Sequence, residues 1–244
     1  MIINLISGPR NISTALMYSF AQHPKVKVVD EPFYAYYLKH TGLDHPGRSE
    51  VMESLPSDPH QVLNKLHQLQ EQYEVVFIKN MAHHHMGLDW SYLIPLKNIF
   101  LIRNPKQLIA SFAQVIYEPT MQDIGLEIEA DLFDYVEEYG NYSGYVMDSQ
   151  DILGNPEAGL KSICKKLGLP FDPKMLEWEK GPIPEDGSWA KYWYSNVHNS
   201  TGFTKQKTSE RPLPERCNAL LEEALPYYEK LKEHADATEI QSKK

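Results

Sequence analysis

The segment Ser7-Gly8-Pro9-Arg10-Asn11-Ile12-Ser13-Thr14-Ala15 carries the clearest chemistry in the sequence. It follows Ile2-Ile3-Asn4-Leu5-Ile6, which has the composition of a buried strand, and leads into Ala15, Leu16, Met17 and Phe20, whose spacing predicts a helix. A chain that turns from strand to helix through Gly and Pro exposes the first helical amides. These have no internal partner and lie at the positive end of the helix dipole, so they suit an anion. Arg10 adds a guanidinium, and Ser13 and Thr14 add hydroxyl donors. The loop is not a Walker motif, because Ile12 stands where a Gly would precede the hydroxyl pair and no Lys is present. The alternative is an ordinary strand–turn–helix capped by Ser13 or Asn11.

Chemistry of the same kind follows three further apolar runs. Val26–Val29 leads to Asp30 and Glu31, Val75–Ile78 to Lys79 and Asn80 and then His83-His84-His85, and Ile99–Ile102 to Arg103 and Asn104. Ser111 lies about two turns into the helix that Pro105 opens. In a parallel sheet these residues all fall at the carboxyl edge, where open α/β folds bind ligands. A cation after three of four strands, in a chain of net charge −9, implies a local basic pocket. An Arg fork grips a phosphate bidentately and a Ser hydroxyl donates a further bond. Each residue has a plainer alternative: Arg103 paired with a carboxylate, Ser111 packed on the sheet, Glu31 paired with Arg10, Lys79 in solvent, and the histidines as a surface run. Three adjacent histidines cannot easily face one ion, and no carboxylate spacing completes a site, so no metal is expected.

These residues need a scaffold. The four runs read as near-continuous apolar strands, as in a parallel sheet covered on both faces. Tyr145-Val146-Met147 reads as a short fifth strand. Helical patterns lie between them: one opened by Asp58-Pro59 with Val62, Leu63, Leu66 and Leu69 on one face, one from Pro105 with Leu108, Ile109 and Phe112, and one carrying Leu132, Phe133, Val136 and Tyr139. Asn155-Pro156 starts another that ends at Gly168, and a last helix runs from about Pro214 with an interruption expected at Pro226. Alternating strands and helices imply an α/β fold, a doubly wound, mainly parallel central sheet with helices on both faces. Leu43–Pro56 has the composition of a surface loop. The aromatic-rich stretch Gly181–Pro212 is long for a loop, which suggests a lid or wall.

Composition narrows the function classes. The 244 residues suffice for one large domain, expected over 1–234 with a flexible tail over 235–244. The acidic balance argues against a nucleic-acid or membrane-surface partner. Cys164 and Cys217 fit no metal or disulfide pattern and fall on apolar helix faces as buried thiols. No basic region precedes the first apolar run, which is short for a signal peptide or membrane span, so a cytoplasmic protein is expected. Oligomeric state is not legible.

Taken together, the motifs resemble those of the sulfotransferase superfamily, which uses 3′-phosphoadenosine 5′-phosphosulfate. That family has a loop after its first strand for the 5′-phosphate, matched here by Arg10-Asn11-Ile12-Ser13-Thr14 with Gly8 and Pro9 before it; many members have Gly where this chain has Ile12. It also has an Arg followed eight positions later by a Ser, which hold the 3′-phosphate and match Arg103 and Ser111. The resemblance implies a P-loop-like fold, the product 3′-phosphoadenosine 5′-phosphate and no metal requirement. It further implies catalytic work by Arg10, Lys79 and a base: Glu31 is preferred, and His83, two places later than the usual His, is the alternative. A late segment, His198–Lys205, is the candidate to close over the 3′-phosphate, with Lys205 as its cation. The sulfuryl group is expected to go to a hydroxyl or amine of a small, apolar or aromatic acceptor held by Phe33–Leu38, Met81–Trp90 and Tyr117–Leu126. The competing readings are a P-loop kinase or nucleotide hydrolase, which Asp30 keeps open, and an inactive nucleotide-binding module of the same fold.

Overall fold

A computed structural model describes residues 1–203 and 211–235. Its centre is a five-stranded, wholly parallel sheet in the order β2-β3-β1-β4-β5. The strands are β1 (Ile2–Ser7), β2 (Val26–Asp30), β3 (Val75–Met81), β4 (Lys97–Ile102) and β5 (Tyr145–Asp148). Helix α1 (Ser13–Ala21) joins β1 to β2, and α2 (Tyr34–Thr41), α3 (Arg48–Ser54) and α4 (Pro59–Gln72) join β2 to β3. Between β4 and β5 lie α5 (Pro105–Phe112), α6 (Met121–Ile124) and α7 (Leu126–Tyr139). After β5 come α8 (Ser149–Gly154), α9 (Pro156–Leu167), α10 (Ala190–Trp193), α11 (Ser195–His198) and α12 (Asn218–Glu233).

The period of two along each strand divides the core. Ile3 and Leu5, Val75 and Phe77, Ile99 and Leu101, and Tyr145 and Met147 face one side, with α1, α2 and α9. Ile2 and Ile6, Val76 and Ile78, Phe100 and Ile102, and Val146 face the other, with α4, α5, α7 and α12. A buried asparagine ladder crosses the centre: Asn80 Nδ2 donates to Asn4 Oδ1 at 2.9 Å, and Asn4 Nδ2 to Asn98 Oδ1 at 3.0 Å. These amides fix one register, because a slipped strand would leave buried amides unpaired.

Helix starts follow their sequence signals. Asp58 accepts from His60 N, Asn104 from Lys106 N and Asn155 from Ala158 N, each with Pro at the next position, and Gly168 ends α9 with φ 69°. Five expectations need correction. The third strand runs to Met81, so Lys79 and Asn80 lie inside it; their polar heads are taken up by Asp30 and Glu31 and by the ladder. Leu43–Pro56 contains α3, anchored by buried Val51. Tyr139, at the end of α7, is exposed. Cys217 is buried as expected but sits in the 3₁₀ turn Glu215–Cys217 that precedes α12. Pro226 lies within an unbroken α12, which is held by Leu220, Ala224 and Leu231 on the sheet despite the missing amide. Among the described residues no helix is long and apolar enough to cross a membrane. Lys205 and residues 236–244 lie outside the described residues.

Candidate functional site

The carboxyl ends of β1, β3 and β4 are adjacent, with β1 between the other two. The chain winds away from β1 in both directions, so a crevice opens above it, the usual ligand position in such sheets. A cavity of about 670 Å³ occupies this place. Its walls include Arg10, Ser13, Thr14, Arg103 and Ser111 together with Glu31, Lys79 and His83, so the sequence candidates among the described residues gather at one site. Gly8 is the exception: it lies beneath the loop and does not line the cavity.

The β1–α1 loop is held from several directions. A Cβ on Gly8 would stand 2.6 Å from the Ile124 carbonyl oxygen, so a glycine is required there. Asn11 Nδ2 donates to the Leu101 carbonyl at 2.6 Å, and its Oδ1 accepts from Ile12 N at 3.0 Å. Arg10 has φ 55°, a left-handed conformation seldom taken by side-chain-bearing residues. Neither Ser13 nor Asn11 caps α1: the cap position is Ile12, and no side chain fills it. The first amides of α1 therefore stay available at the cavity wall, where Ser13, Thr14 and Ala15 lie.

Arg10 Nε donates to Ser111 Oγ at 3.2 Å, and Arg103 donates to the Arg10 carbonyl. Arg211, which sequence reasoning missed, also lines the cavity. Burial holds the Arg10 guanidinium below its ordinary pKa and the charge of Arg211 adds to this; Arg103 is lowered by burial and then by Arg10. No carboxylate among the described residues forms a salt bridge with Arg10 or Arg103. The mutual repulsion and desolvation of these cations are costs that a bound anion would offset.

The opposite wall is a buried charge cluster. Lys79 Nζ donates to Asp30 Oδ1 at 3.1 Å, to Glu31 Oε1, and to Tyr194 Oη at 2.5 Å. Tyr194 Oη lies 2.8 Å from Asp30 Oδ2 and accepts from Trp189 Nε1 at 3.0 Å. Glu31 is thus paired with Lys79, not with Arg10, and Lys79 is buried rather than solvated. Burial pushes the Asp30 and Glu31 carboxyls up, against the pull of the Lys79 charge. Lys79 is itself raised, since its two acidic neighbours outweigh its desolvation. Glu31 has φ 38°, and its amide still donates to the Lys79 carbonyl at 2.8 Å.

The three histidines are not a surface run. All are buried, in the 3₁₀ turn Ala82–His85. Burial lowers His83 to about 3 and His85 to about 4, and drives His84 down strongly. His83 and His84 line the cavity, whereas His85 turns Nδ1 to the Met81 and Ala82 carbonyls, at 3.2 and 3.1 Å. Tyr34, His45 and Met81 complete this end. Among the described residues no group of three or more His, Cys, Asp or Glu is arranged to hold a metal ion.

A sulfotransferase-domain family model matches residues 1–235. The chain belongs to the sulfotransferase domain family. Two curated proteins of Arabidopsis thaliana, the branched-chain-amino-acid aminotransferase-like proteins 1 and 2, are 37% and 36% identical over 234 residues. That match takes in 96% of the chain and 42% of each relative, so this sulfotransferase domain spans less than half the length of either. Among solved structures, the sulfotransferase domain of the Synechococcus PCC 7002 olefin synthase is similar, with TM-score 0.58 and 19% identity over 91% of this chain and 93% of that one. A sulfotransferase from Alicyclobacillus acidocaldarius is similar too, with TM-score 0.58 and 12% identity over 98% of each chain. Both likenesses concern the fold.

Proposed function

We propose that this domain moves a sulfuryl group from 3′-phosphoadenosine 5′-phosphosulfate to a hydroxyl of a small acceptor. One observation carries the reading: Arg10 and Arg103, arriving from two different strands, converge without salt-bridging carboxylates on the cavity that Glu31 and Lys79 also line. In this reading Ser13, Thr14 and the free amides of α1 hold the 5′-phosphosulfate with Arg10. Arg103, Ser111 and Arg211 hold the 3′-phosphate.

Sulfuryl transfer, like phosphoryl transfer, calls for positioning and charge stabilisation more than for covalent catalysis. Glu31 takes the proton of the acceptor hydroxyl as its oxygen bonds to sulfur. Arg10 offsets the charge left on the nucleotide when the old sulfur–oxygen bond breaks, and Lys79, bonded to both carboxylates, orients Glu31. The buried position that raises the Glu31 carboxyl makes it a better proton acceptor than an exposed carboxylate, while Lys79 keeps it available. His83, held far below neutrality by burial, is the poorer base. A calorimetric titration with 3′-phosphoadenosine 5′-phosphate in the absence of magnesium tests the donor site. Binding is expected; no binding, or binding only with magnesium, would return the kinase reading.

A further inference from the structure

The part of the cavity wall formed by Glu31, Lys79, His45, His83 and His84 is polar. Its cation, Lys79, is already bonded to both carboxylates and to Tyr194. Three imidazoles line the same cavity: His83 and His84 from one turn, whose His85 is turned away, and His45, which accepts or donates at 2.9 Å to the Tyr34 hydroxyl. Burial lowers every one of them, so they are neutral at pH 7. Tyr34 stacks on His84 with ring centres 4.6 Å apart, and Tyr37 lies against both His83 and His84 at 4.9 Å. The imidazoles are therefore fixed in orientation, and fixed polar groups discriminate between ligands better than mobile ones.

Their hydrogen bonds are incomplete. His83 Nδ1 packs against Gly125, where an added Cβ would lie 3.4 Å away, and it has no partner. An orphaned buried N–H is rarer and more costly than an orphaned lone pair, so the proton of neutral His83 belongs on Nε2. His83 is then a donor toward the cavity rather than a base. His84 Nδ1 is also unpartnered and sits 3.8 Å from Glu31 Oε2, next to the proposed reacting oxygen.

We propose that this recess selects an uncharged acceptor with a second hydroxyl beside the one that is sulfated, and that His83 donates a hydrogen bond to that second hydroxyl while His84 flanks it. A hydroxyl both donates and accepts, so it satisfies a neutral imidazole in either tautomer. A carboxylate would meet Glu31, whose cation is already bonded to two carboxylates, and an ammonium would have to share Glu31 with Lys79, which already holds it. The proposal rests on the sulfotransferase reading above only in naming the hydroxyl that reacts.

The test uses matched probes of one ring size: cyclohexanol, cis-1,2-cyclohexanediol, 4-hydroxycyclohexanecarboxylate and 4-aminocyclohexanol. Binding is read by ligand-observed NMR with and without 3′-phosphoadenosine 5′-phosphate, and turnover is read beside it. The diol is expected to bind about fivefold more tightly than cyclohexanol, the worth of one added hydrogen bond, and both charged probes about tenfold more weakly than the diol. His83→Ala should erase the advantage of the diol over cyclohexanol, and His83→Gln, which keeps an N–H donor, should restore part of it. Preference for a charged probe, no preference for the diol, or loss of cyclohexanol turnover in His83→Ala with binding intact would each overturn the proposal. Diol selectivity in a protein that fails to bind the nucleotide would sink the donor reading and leave the recess standing.

Discussion

Two side-chain-bearing residues have positive φ among the described residues, Arg10 and Glu31, and both line the cavity. Such backbone geometry costs on the order of 1–3 kcal/mol and persists only where the surroundings fix it. Here Arg103 holds the Arg10 carbonyl and the Lys79 carbonyl holds the Glu31 amide. Two predictions belong to single residues. Glu31→Gln keeps the size and removes the basicity, so turnover should fall by about 10²-fold or more while nucleotide affinity stays within about threefold. Near-normal turnover, with His83→Ala inactive instead, would hand the base to the histidine. Parallel loss of affinity and turnover would mean that Glu31 only orders the donor site. Arg103→Ala removes a charge-assisted bond worth roughly 1.5–3 kcal/mol, so preference for 3′-phosphoadenosine 5′-phosphate over adenosine 5′-phosphate should drop by about tenfold or more. Equal losses for the two nucleotides in a titration would exclude Arg103 from the 3′-phosphate.

At the scale of elements, the apolar strand cores and the Asx-Pro helix starts were legible because their signals are local: near-continuous apolar runs, Asx-Pro at helix starts, and Gly168 after α9. What was missed is long-range. The polar end of β3 reads as a loop until Asp30, Glu31 and Asn4 are known to lie beside it. Tyr194 and Trp189 read as packing residues, yet they fasten the stretch around α10 and α11 to the ends of β2 and β3 across more than 100 residues of sequence. The expectation of a wall there is compatible with Trp193, Asn196 and Phe203 lining the cavity. Tyr194→Phe tests how much this fastening matters. It deprives buried Asp30 and Trp189 of a partner, which typically costs about 1–3 kcal/mol, so the denaturant midpoint should fall with an unchanged slope. A fall in slope would mean that the stretch had detached in the native state. An unchanged midpoint would mean that water replaces the hydroxyl.

For the whole molecule, the sequence reading of an acidic chain with one local basic pocket corresponds to the arginines around the crevice. The burial of all three adjacent histidines was not legible, because nothing in His83-His84-His85 distinguishes a buried turn from an exposed one until α7 and Tyr37 cover it. That burial sets the response of the fold to acid. His85 is pushed from 6.5 to about 4, so between these values the unfolded chain binds a proton that the folded one refuses. Its contribution to stability is complete above pH 6.5 and is lost as pH falls toward 4. Asp30, Glu31 and Glu129, raised by burial, act in the opposite sense, since their penalty is relieved as pH falls. Comparison with a His85→Asn variant cancels those shared terms. Asn offers a donor to the Met81 and Ala82 carbonyls without a titrating nitrogen, and His85 does not line the cavity. Unfolding free energies measured from pH 7 to 4 should fall less steeply in the variant, by about 1.4 kcal/mol per pH unit once His85 is fully protonated in the unfolded chain. Identical slopes would mean that the folded protein accepts the proton at His85, which requires water to reach a ring that Phe33 and Tyr92 enclose.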